Sequence, residues 1–181
     1  PISRVWGCDR GKPIDRYYIE CYLSIHSADI KDHVLEIGDR NYTCRFGSDR
    51  VTKSDVLDVA EGNPNATLVG DLTRAEHIPS DTFDCVILTQ TLQYIFDLRA
   101  AIKTLFRILK PGGVALVTVP GITKMSAHSG EDASYFWHWS FTIMSSKRLF
   151  KEVFPKNNVW VDAYGNVLTA IAFLGGLATE E

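Results

Sequence analysis

Short apolar runs recur along the chain, and longer amphipathic or polar stretches separate them. The runs predict five strands, at 34–37, 56–59, 67–69, 83–89 and 114–119. Residues 97–109 repeat apolar side chains at helical spacing, with Asp97 as the expected N-cap, and Pro111-Gly112-Gly113 is expected to stop this helix. Similar spacing predicts helices at 13–30 and 145–154. The alternation of strands and helices indicates a parallel sheet with helices on both faces.

The end of the chain breaks this alternation. Two β-rich runs, at 158–164 and 167–174, flank Gly165-Asn166, a two-residue turn typical of a β-hairpin. With the five earlier strands, the hairpin makes seven. The pattern therefore predicts an α/β fold with a doubly wound, mostly parallel, seven-stranded sheet that an antiparallel C-terminal hairpin closes.

Length and charge narrow the functional class. The 181 residues suit one domain with its own core. The net charge of −3 and the lack of a long basic run argue against a nucleic-acid partner, because phosphate binding needs a clustered cationic face. No apolar run approaches the roughly 20 residues that a membrane span needs, so we expect no membrane partner.

The cysteines indicate the cellular setting. The four of them, at positions 8, 21, 44 and 85, lack the spacing of paired metal ligands, and Cys85 lies in an apolar run typical of a buried thiol. No signal peptide is visible. We therefore expect a reducing, cytoplasmic setting and no bound metal. Because the chain opens on Pro1 rather than Met, we also allow for additional domains in the full-length protein.

Three motifs carry a resemblance to a known family. They are "VLEIG" at 34–38, "FDCVILTQTLQYIFD" at 83–97 and "ILKPGGVALVTVP" at 108–120. The chain resembles the class I S-adenosylmethionine-dependent methyltransferases, in particular the small bacterial type with an LKPGG turn. The resemblance implies a Rossmann-like methyltransferase fold with S-adenosylmethionine as cofactor. It also implies one methyltransferase domain over 1–181, with a cap-helix region at 1–33 and a core at 34–181.

The turn after the first strand is the first candidate cofactor site. Ligands of parallel sheets bind beyond the carboxyl ends of the strands, and Gly38, which has no Cβ, lets the backbone approach them. Arg40 replaces the second glycine of the family pattern, and a left-handed backbone there would cost on the order of 1 kcal/mol. Arg40 is either a partner of the methionine carboxylate of the cofactor or a solvated loop residue. The resemblance places Glu36 near the amino group of the cofactor.

A carboxylate follows the second strand at the position expected for ribose binding. Asp58 lies 20 residues after Gly38, and a carboxylate there can accept both ribose hydroxyls. Asp55 begins the same strand, at the wrong end, and Glu61 in the following loop could substitute. We therefore expect Asp58 to bind the ribose.

The ends of the third and fourth strands complete the predicted cofactor site. By the resemblance, Asp71 accepts the amino group of adenine and Leu72 contacts its ring; alternatively, Asp71 caps a turn. Gln90 follows the fourth strand, where its amide could bind cofactor or substrate.

The chemistry places few demands on catalytic residues. Methyl transfer from a sulfonium mainly requires alignment of donor and acceptor, and a general base helps only when the acceptor must lose a proton. The segment 121–142 follows the fifth strand and contains His128 and His138, the two candidate bases, among aromatic residues. The aromatic residues could form an acceptor wall or a lid, or could pack on the core.

Three functions follow from these residues. The first is S-adenosylmethionine-dependent methyl transfer to a small-molecule or saccharide acceptor. The alternative is a catalytically degenerate methyltransferase-like binding or regulatory domain, which Arg40 favours. A nicotinamide-dependent oxidoreductase is a third, but the lost glycine and the antiparallel ending argue against it.

Overall fold

Five parallel strands form one sheet in the order β3-β2-β1-β4-β5. The structure is a computed structural model and describes residues 2–123 and 137–181. The strands are β1 (Asp32–Ile37), β2 (Val51–Asp58), β3 (Leu68–Val69), β4 (Phe83–Thr89) and β5 (Leu109–Thr118). All five predicted strands are present, although β2 begins five residues earlier than its apolar run. The chain order reverses between β1 and β4, so a crevice is expected at the carboxyl ends of these two strands.

Four α-helices accompany the sheet in the described part of the chain: α1 (Ile14–Ile25), α2 (Leu98–Ile108), α3 (Ile143–Lys151) and α4 (Val167–Gly175). Asp97 caps α2 as predicted, because its Oδ1 accepts the N–H of Ala100 at 3.0 Å. Pro111-Gly112-Gly113 does not end α2: the helix stops at Ile108, and the three residues already belong to β5. No helix in the ranges 2–123 and 137–181 is both long and apolar enough to cross a membrane.

Helices cover both faces of the sheet, as the alternation predicted. On one face, Ile19 and Leu23 of α1 pack against Val34, Cys85 and Leu116. The other face carries the larger core, to which α2 contributes four of its five buried side chains. Burial raises the pKa of the Cys85 thiol to about 12, so this cysteine is an inert core residue.

The predicted seven-stranded sheet with a C-terminal hairpin is wrong for the described residues. The sheet has five strands, residues 159–166 form none, and the run at 167–174 is helical. Asn166 is the reason: its Oδ1 accepts the N–H of Thr169 at 3.0 Å, and Thr169 Oγ1 accepts the N–H of Asn166 at 2.9 Å. This reciprocal capping starts a helix in a run whose Leu and Ala residues favour helix.

Candidate functional site

The turn after β1 has the backbone that only glycine adopts readily. Gly38 has φ of +82°, and its N–H donates to the carbonyl of Leu57 at 3.0 Å. A Cβ built on Gly38 would meet nothing within 4 Å, so the space above this turn is open. The geometry therefore accounts for the glycine and leaves room for a ligand at the carboxyl ends of β1 and β2.

Arg40 does not strain the turn. Its φ lies outside the positive region, and its carbonyl accepts the N–H of Cys44 at 2.9 Å as the chain enters a helical turn. The side chain is exposed. The missing second glycine is therefore no obstacle to the fold of the site, and a contact between Arg40 and the cofactor carboxylate stays a prediction.

A cavity of about 310 Å³ separates α1 from the turn after β1. Its lining residues are Arg16, Glu20, Asp39, Asn41, Tyr42 and Arg45. Arg16 donates to the hydroxyl of Tyr42 at 3.1 Å, whereas Arg45 pairs with Glu20 at 2.8 Å. Arg16 thus reaches the turn from the cap helix, whereas Arg40 does not line this cavity.

Glu36 is buried and holds the turn together. Its side chain is 2% exposed; Oε1 accepts the N–H of Tyr42 at 3.1 Å, and Oε2 accepts the N–H and the hydroxyl of Thr43, each at 2.7 Å. Burial raises the pKa of Glu36 to about 7, against the lowering effect of these hydrogen bonds. The predicted contact of Glu36 with the cofactor amino group stays a prediction, since both oxygens already accept hydrogen bonds from the turn.

Asp58 lies beside the Gly38 turn, and one side chain joins the two. Asn63 Nδ2 donates to Asp58 Oδ2 and to the Gly38 carbonyl, both at 2.6 Å. Sequence reasoning missed Asn63, because an Asn in a loop that also contains Gly and Pro indicates a turn and nothing more. The structure therefore brings Gly38 and Asp58 together at one rim.

The rivals of Asp58 lie elsewhere. Asp55 Oδ2 is 2.6 Å from His33 Nε2, and Asp55 Oδ1 accepts the hydroxyl of Thr67 at 2.8 Å. The hydrogen bonds of His33 and Thr67 hold the pKa of Asp55 below its usual range although burial opposes them. Glu61 is an exposed loop residue. Asp58 is accordingly the carboxylate that faces the rim.

The turn after β3 contains Asp71 and Leu72, the two residues predicted to contact adenine. Asp71 is exposed, and its Oδ1 accepts the N–H of Thr73 at 2.8 Å, the turn-capping bond that was its alternative interpretation. Leu72 is 4% exposed and packs into the larger core, which leaves little of its side chain for an adenine ring. His77 packs on Gly70, where a Cβ would lie 2.5 Å from its Cε1. The sequence held no signal for His77.

Gln90 directly follows β4 and has a strained backbone conformation. Its φ is +47°, its N–H donates to Thr118 O at 2.9 Å, and its carbonyl accepts Gln93 Nε2 at 2.8 Å. Gln93 is fully buried, and its Oε1 has no hydrogen-bond partner in the described ranges. Strained backbone and unpaired buried polar atoms concentrate at functional sites, so this corner is a candidate for ligand contact.

Aromatic residues border the same corner. The N–H of His138 donates to Gln93 O at 2.8 Å, and Trp139 Nε1 donates to Ile95 O at 3.0 Å. The Phe96 ring lies 5.5 Å from the His138 ring and 5.9 Å from the Trp139 ring, between centroids. We call Phe96, His138 and Trp139 the aromatic rim. All three are exposed, Phe96 by 73%.

Of the two candidate bases, only His138 lies in the part of the chain that the structure describes. His138 belongs to the aromatic rim, at the edge of the sheet where Gln90 follows β4. His128 lies outside the described residues. In residues 2–123 and 137–181 no group of three or more His, Cys, Asp or Glu side chains is arranged to hold a metal ion.

The sequence matches a known protein family over most of its length. The profile of a methyltransferase-domain family matches residues 6–161. The "Ubiquinone/menaquinone biosynthesis C-methyltransferase UbiE" of Pasteurella multocida is 32% identical over 135 residues, which cover 64% of this chain and 46% of that protein. The chain spans less than half the length of the curated relatives it matches.

Solved structures share the fold. A S-adenosylmethionine-dependent methyltransferase of Archaeoglobus fulgidus superposes with a TM-score of 0.54 at 11% identity, over 88% of this chain and 85% of that chain. Phosphoethanolamine N-methyltransferase 2 of Haemonchus contortus, solved in complex with S-adenosyl-L-methionine, superposes with a TM-score of 0.50 at 15% identity, over 77% of this chain and 41% of that one. The open glycine turn, the adjacent carboxylate and the family match lead to one conclusion: the chain belongs to the methyltransferase-domain family of class I, whose cofactor is S-adenosylmethionine.

Proposed function

We propose that this chain transfers a methyl group from S-adenosylmethionine to a small-molecule acceptor. The observation that carries the proposal is the open rim at Gly38, where the backbone is left-handed and the Asp58 carboxylate lies one side chain away. The cofactor supplies a methyl group already activated by its sulfonium, so the protein mainly has to bind, align and exclude water.

Different residues of the chain bind different parts of the cofactor. Asp58 accepts the ribose hydroxyls, and Asp71 accepts the amino group of adenine. At the other end, Arg16 binds the carboxylate from the cap helix, with Arg40 as the second candidate. Glu36 keeps the intervening turn in place and, when ionised, attracts the ammonium group of the cofactor.

The acceptor side is formed by Gln90 and the aromatic rim. An acceptor with a flat face, either a planar ring or a saccharide, stacks on Phe96 and Trp139. The amide of Gln90 lies between the two ligands, where it contacts the cofactor and orients the acceptor. His138 takes the proton of an acceptor that must lose one, which requires the neutral imidazole. His128 remains the second candidate for this role.

Two further parts of the proposal concern context. We treat 1–181 as one methyltransferase domain, with a cap region at 1–33 and a core at 34–181. All four cysteines are unpaired thiols, which favours a cytoplasmic setting.

The alternative of a degenerate binding domain loses its main support. It rested on Arg40, which was expected to distort the turn if that position needed a positive φ. The backbone at Arg40 is unstrained, so the substitution leaves the cofactor rim intact.

Titration with S-adenosylhomocysteine tests the proposal. We expect micromolar affinity by calorimetry and a thermal shift on binding, because a ligand that binds the folded state stabilises it. Transfer of a labelled methyl group to a panel of small hydroxylated and aromatic compounds then identifies the acceptor. Absence of heat and of a thermal shift at millimolar ligand would contradict the proposal.

A further inference from the structure

Asn63 uses both of its side-chain N–H donors within the proposed cofactor site. Both hydrogen bonds from Asn63 Nδ2, to Asp58 Oδ2 and to the Gly38 carbonyl, measure 2.6 Å. Asn63 Oδ1 accepts the N–H of Asn65 at 2.9 Å. Because a primary amide has two N–H donors, both are in use, and the side chain is held from its two ends.

The two groups that Asn63 joins are both acceptors. An ionised carboxylate and a carbonyl that face the same point are unfavourable neighbours unless a donor lies between them. The amide of Asn63 supplies that donor for Asp58 and Gly38. It therefore sets where the carboxylate lies relative to the turn that the cofactor must approach.

The hydrogen bonds that Asp58 accepts leave acceptor positions free on both carboxylate oxygens, as binding of a diol requires. Asp58 Oδ1 accepts the N–H of Ala60 at 3.1 Å, and Oδ2 accepts Asn63 Nδ2. A carboxylate has about four acceptor positions, two on each oxygen. One position therefore remains on each oxygen of Asp58, which matches two adjacent hydroxyl groups.

We propose that Asn63 is a positioning residue for ribose recognition. It holds the Asp58 carboxylate in the orientation whose remaining acceptor positions meet the 2′- and 3′-hydroxyls of the cofactor. This lowers the cost of ordering the carboxylate when the ligand binds. The inference rests on the proposed function, because it takes Asp58 as the ribose ligand; Asn63 itself contacts no part of the cofactor and affects ribose binding through the position of Asp58.

The test compares two ligands on four proteins. Binding of S-adenosylhomocysteine and of its 2′,3′-dideoxy analogue is measured by calorimetry for the wild type and for Asp58→Ala, Asn63→Ala and Asn65→Ala. We expect Asn63→Ala to weaken binding of S-adenosylhomocysteine about tenfold, as the loss of one charge-assisted hydrogen bond does. Binding of the dideoxy analogue is expected to stay unchanged, because the ligand then lacks the groups that Asp58 accepts.

Two controls address folding. Asn65→Ala changes an exposed Asn of the same loop and should bind both ligands as the wild type does. Asn63→Asp keeps the side-chain shape but removes the N–H donors and adds a charge beside Asp58, so it should weaken S-adenosylhomocysteine at least as much as Asn63→Ala. It remains informative if the alanine variant does not fold.

Each other result overturns the inference in a recognisable way. If Asp58→Ala weakens S-adenosylhomocysteine and the Asn63 variants do not, the positioning role is wrong while the proposed cofactor site stands. Equal losses for both ligands would indicate a role in loop folding only, and tighter binding would indicate that Asn63 competes with the ribose. If Asp58→Ala itself has no effect, Asp58 is not the ribose ligand and the proposed site fails as well.

Discussion

One carboxylate oxygen of Glu36 accepts two hydrogen bonds from Thr43, from its N–H and from its hydroxyl, each at 2.7 Å. Glu36 belongs to β1, and Thr43 lies in the turn that follows Gly38. The contact therefore anchors the cofactor turn to the centre of the sheet. It also places a titratable group in the core, with consequences for stability.

Glu36 makes stability depend on pH. Burial raises its pKa to about 7 from an ordinary 4.5, so the folded protein binds this proton more tightly than the unfolded chain. The resulting stabilisation is complete below about pH 4.5 and is lost as pH rises toward 7. Relative to Glu36→Gln, the free energy of unfolding of the wild type should fall by about 3 kcal/mol across this range.

Urea unfolding of both proteins at several pH values measures this difference. Glu61→Gln, which changes an exposed loop carboxylate, should follow the wild-type profile. A difference between wild type and Glu36→Gln that stays constant from pH 4.5 to 7.5 would contradict the interpretation.

Arg16 and Arg40 should differ in their effect on cofactor binding. Arg16 lines the cavity beside the turn, whereas Arg40 does not. We expect Arg16→Ala to weaken binding of S-adenosylhomocysteine about tenfold, since a guanidinium pairs with the ligand carboxylate. Binding of 5′-methylthioadenosine, which lacks the carboxylate, should be unaffected. Arg40→Ala is the matched control, and a larger loss for Arg40→Ala would reverse the assignment.

Substitutions of Gln90 should affect the free energy of unfolding and the affinity for the ligand in different ways. Its φ of +47° costs on the order of 1 kcal/mol for a residue with a side chain. Gln90→Gly removes that strain and adds backbone entropy to the unfolded chain, so the free energy of unfolding should change by less than about 1 kcal/mol. Gln90→Val, with a branched side chain, should lose about 2 kcal/mol.

Measurement of ligand affinity separates the effect of Gln90 on stability from its contact with the ligand. Gln90→Gly should weaken S-adenosylhomocysteine several-fold although its stability is nearly that of the wild type. Calorimetry and urea unfolding of the same samples provide the comparison. Unchanged affinity together with unchanged stability would remove Gln90 from the site.

The helical assignment of α4 can be tested without a structure. Asn166→Ala removes the cap and should lower the free energy of unfolding by about 1 kcal/mol. Ile171, 63% exposed on α4, should tolerate Ala or gain up to about 0.5 kcal/mol, because Ala is the better helix former. In the hairpin that the sequence predicted, Ile171→Ala would instead cost stability, because Ala is a poor strand residue. Urea unfolding distinguishes the two results.

The sequence by itself determined the parallel core and the edge of the sheet at which Gly38 and Asp58 lie. The dense, β-branched run at 83–89 is short and bounded by polar residues, which favours a buried strand, and Gly38 directly after a predicted strand indicates a turn without tertiary context. Asp97 as N-cap of α2 and Cys85 as a core thiol followed from local pattern alone. That Gly38 and Asp58 lie side by side could be predicted because parallel strands bring their carboxyl ends to one edge.

Only the tertiary structure decided the remaining features. The run at 167–174 is apolar enough for either a strand or a helix; it pairs with no strand of the described residues, and it forms a helix that begins at the local cap of Asn166. Asn63 is remote in sequence from Gly38, so its contact with that turn depends on how two loops fold over one another. Local pattern specifies which residues are buried along one element, whereas the side chain that joins two loops depends on packing between elements, which no short stretch of sequence contains.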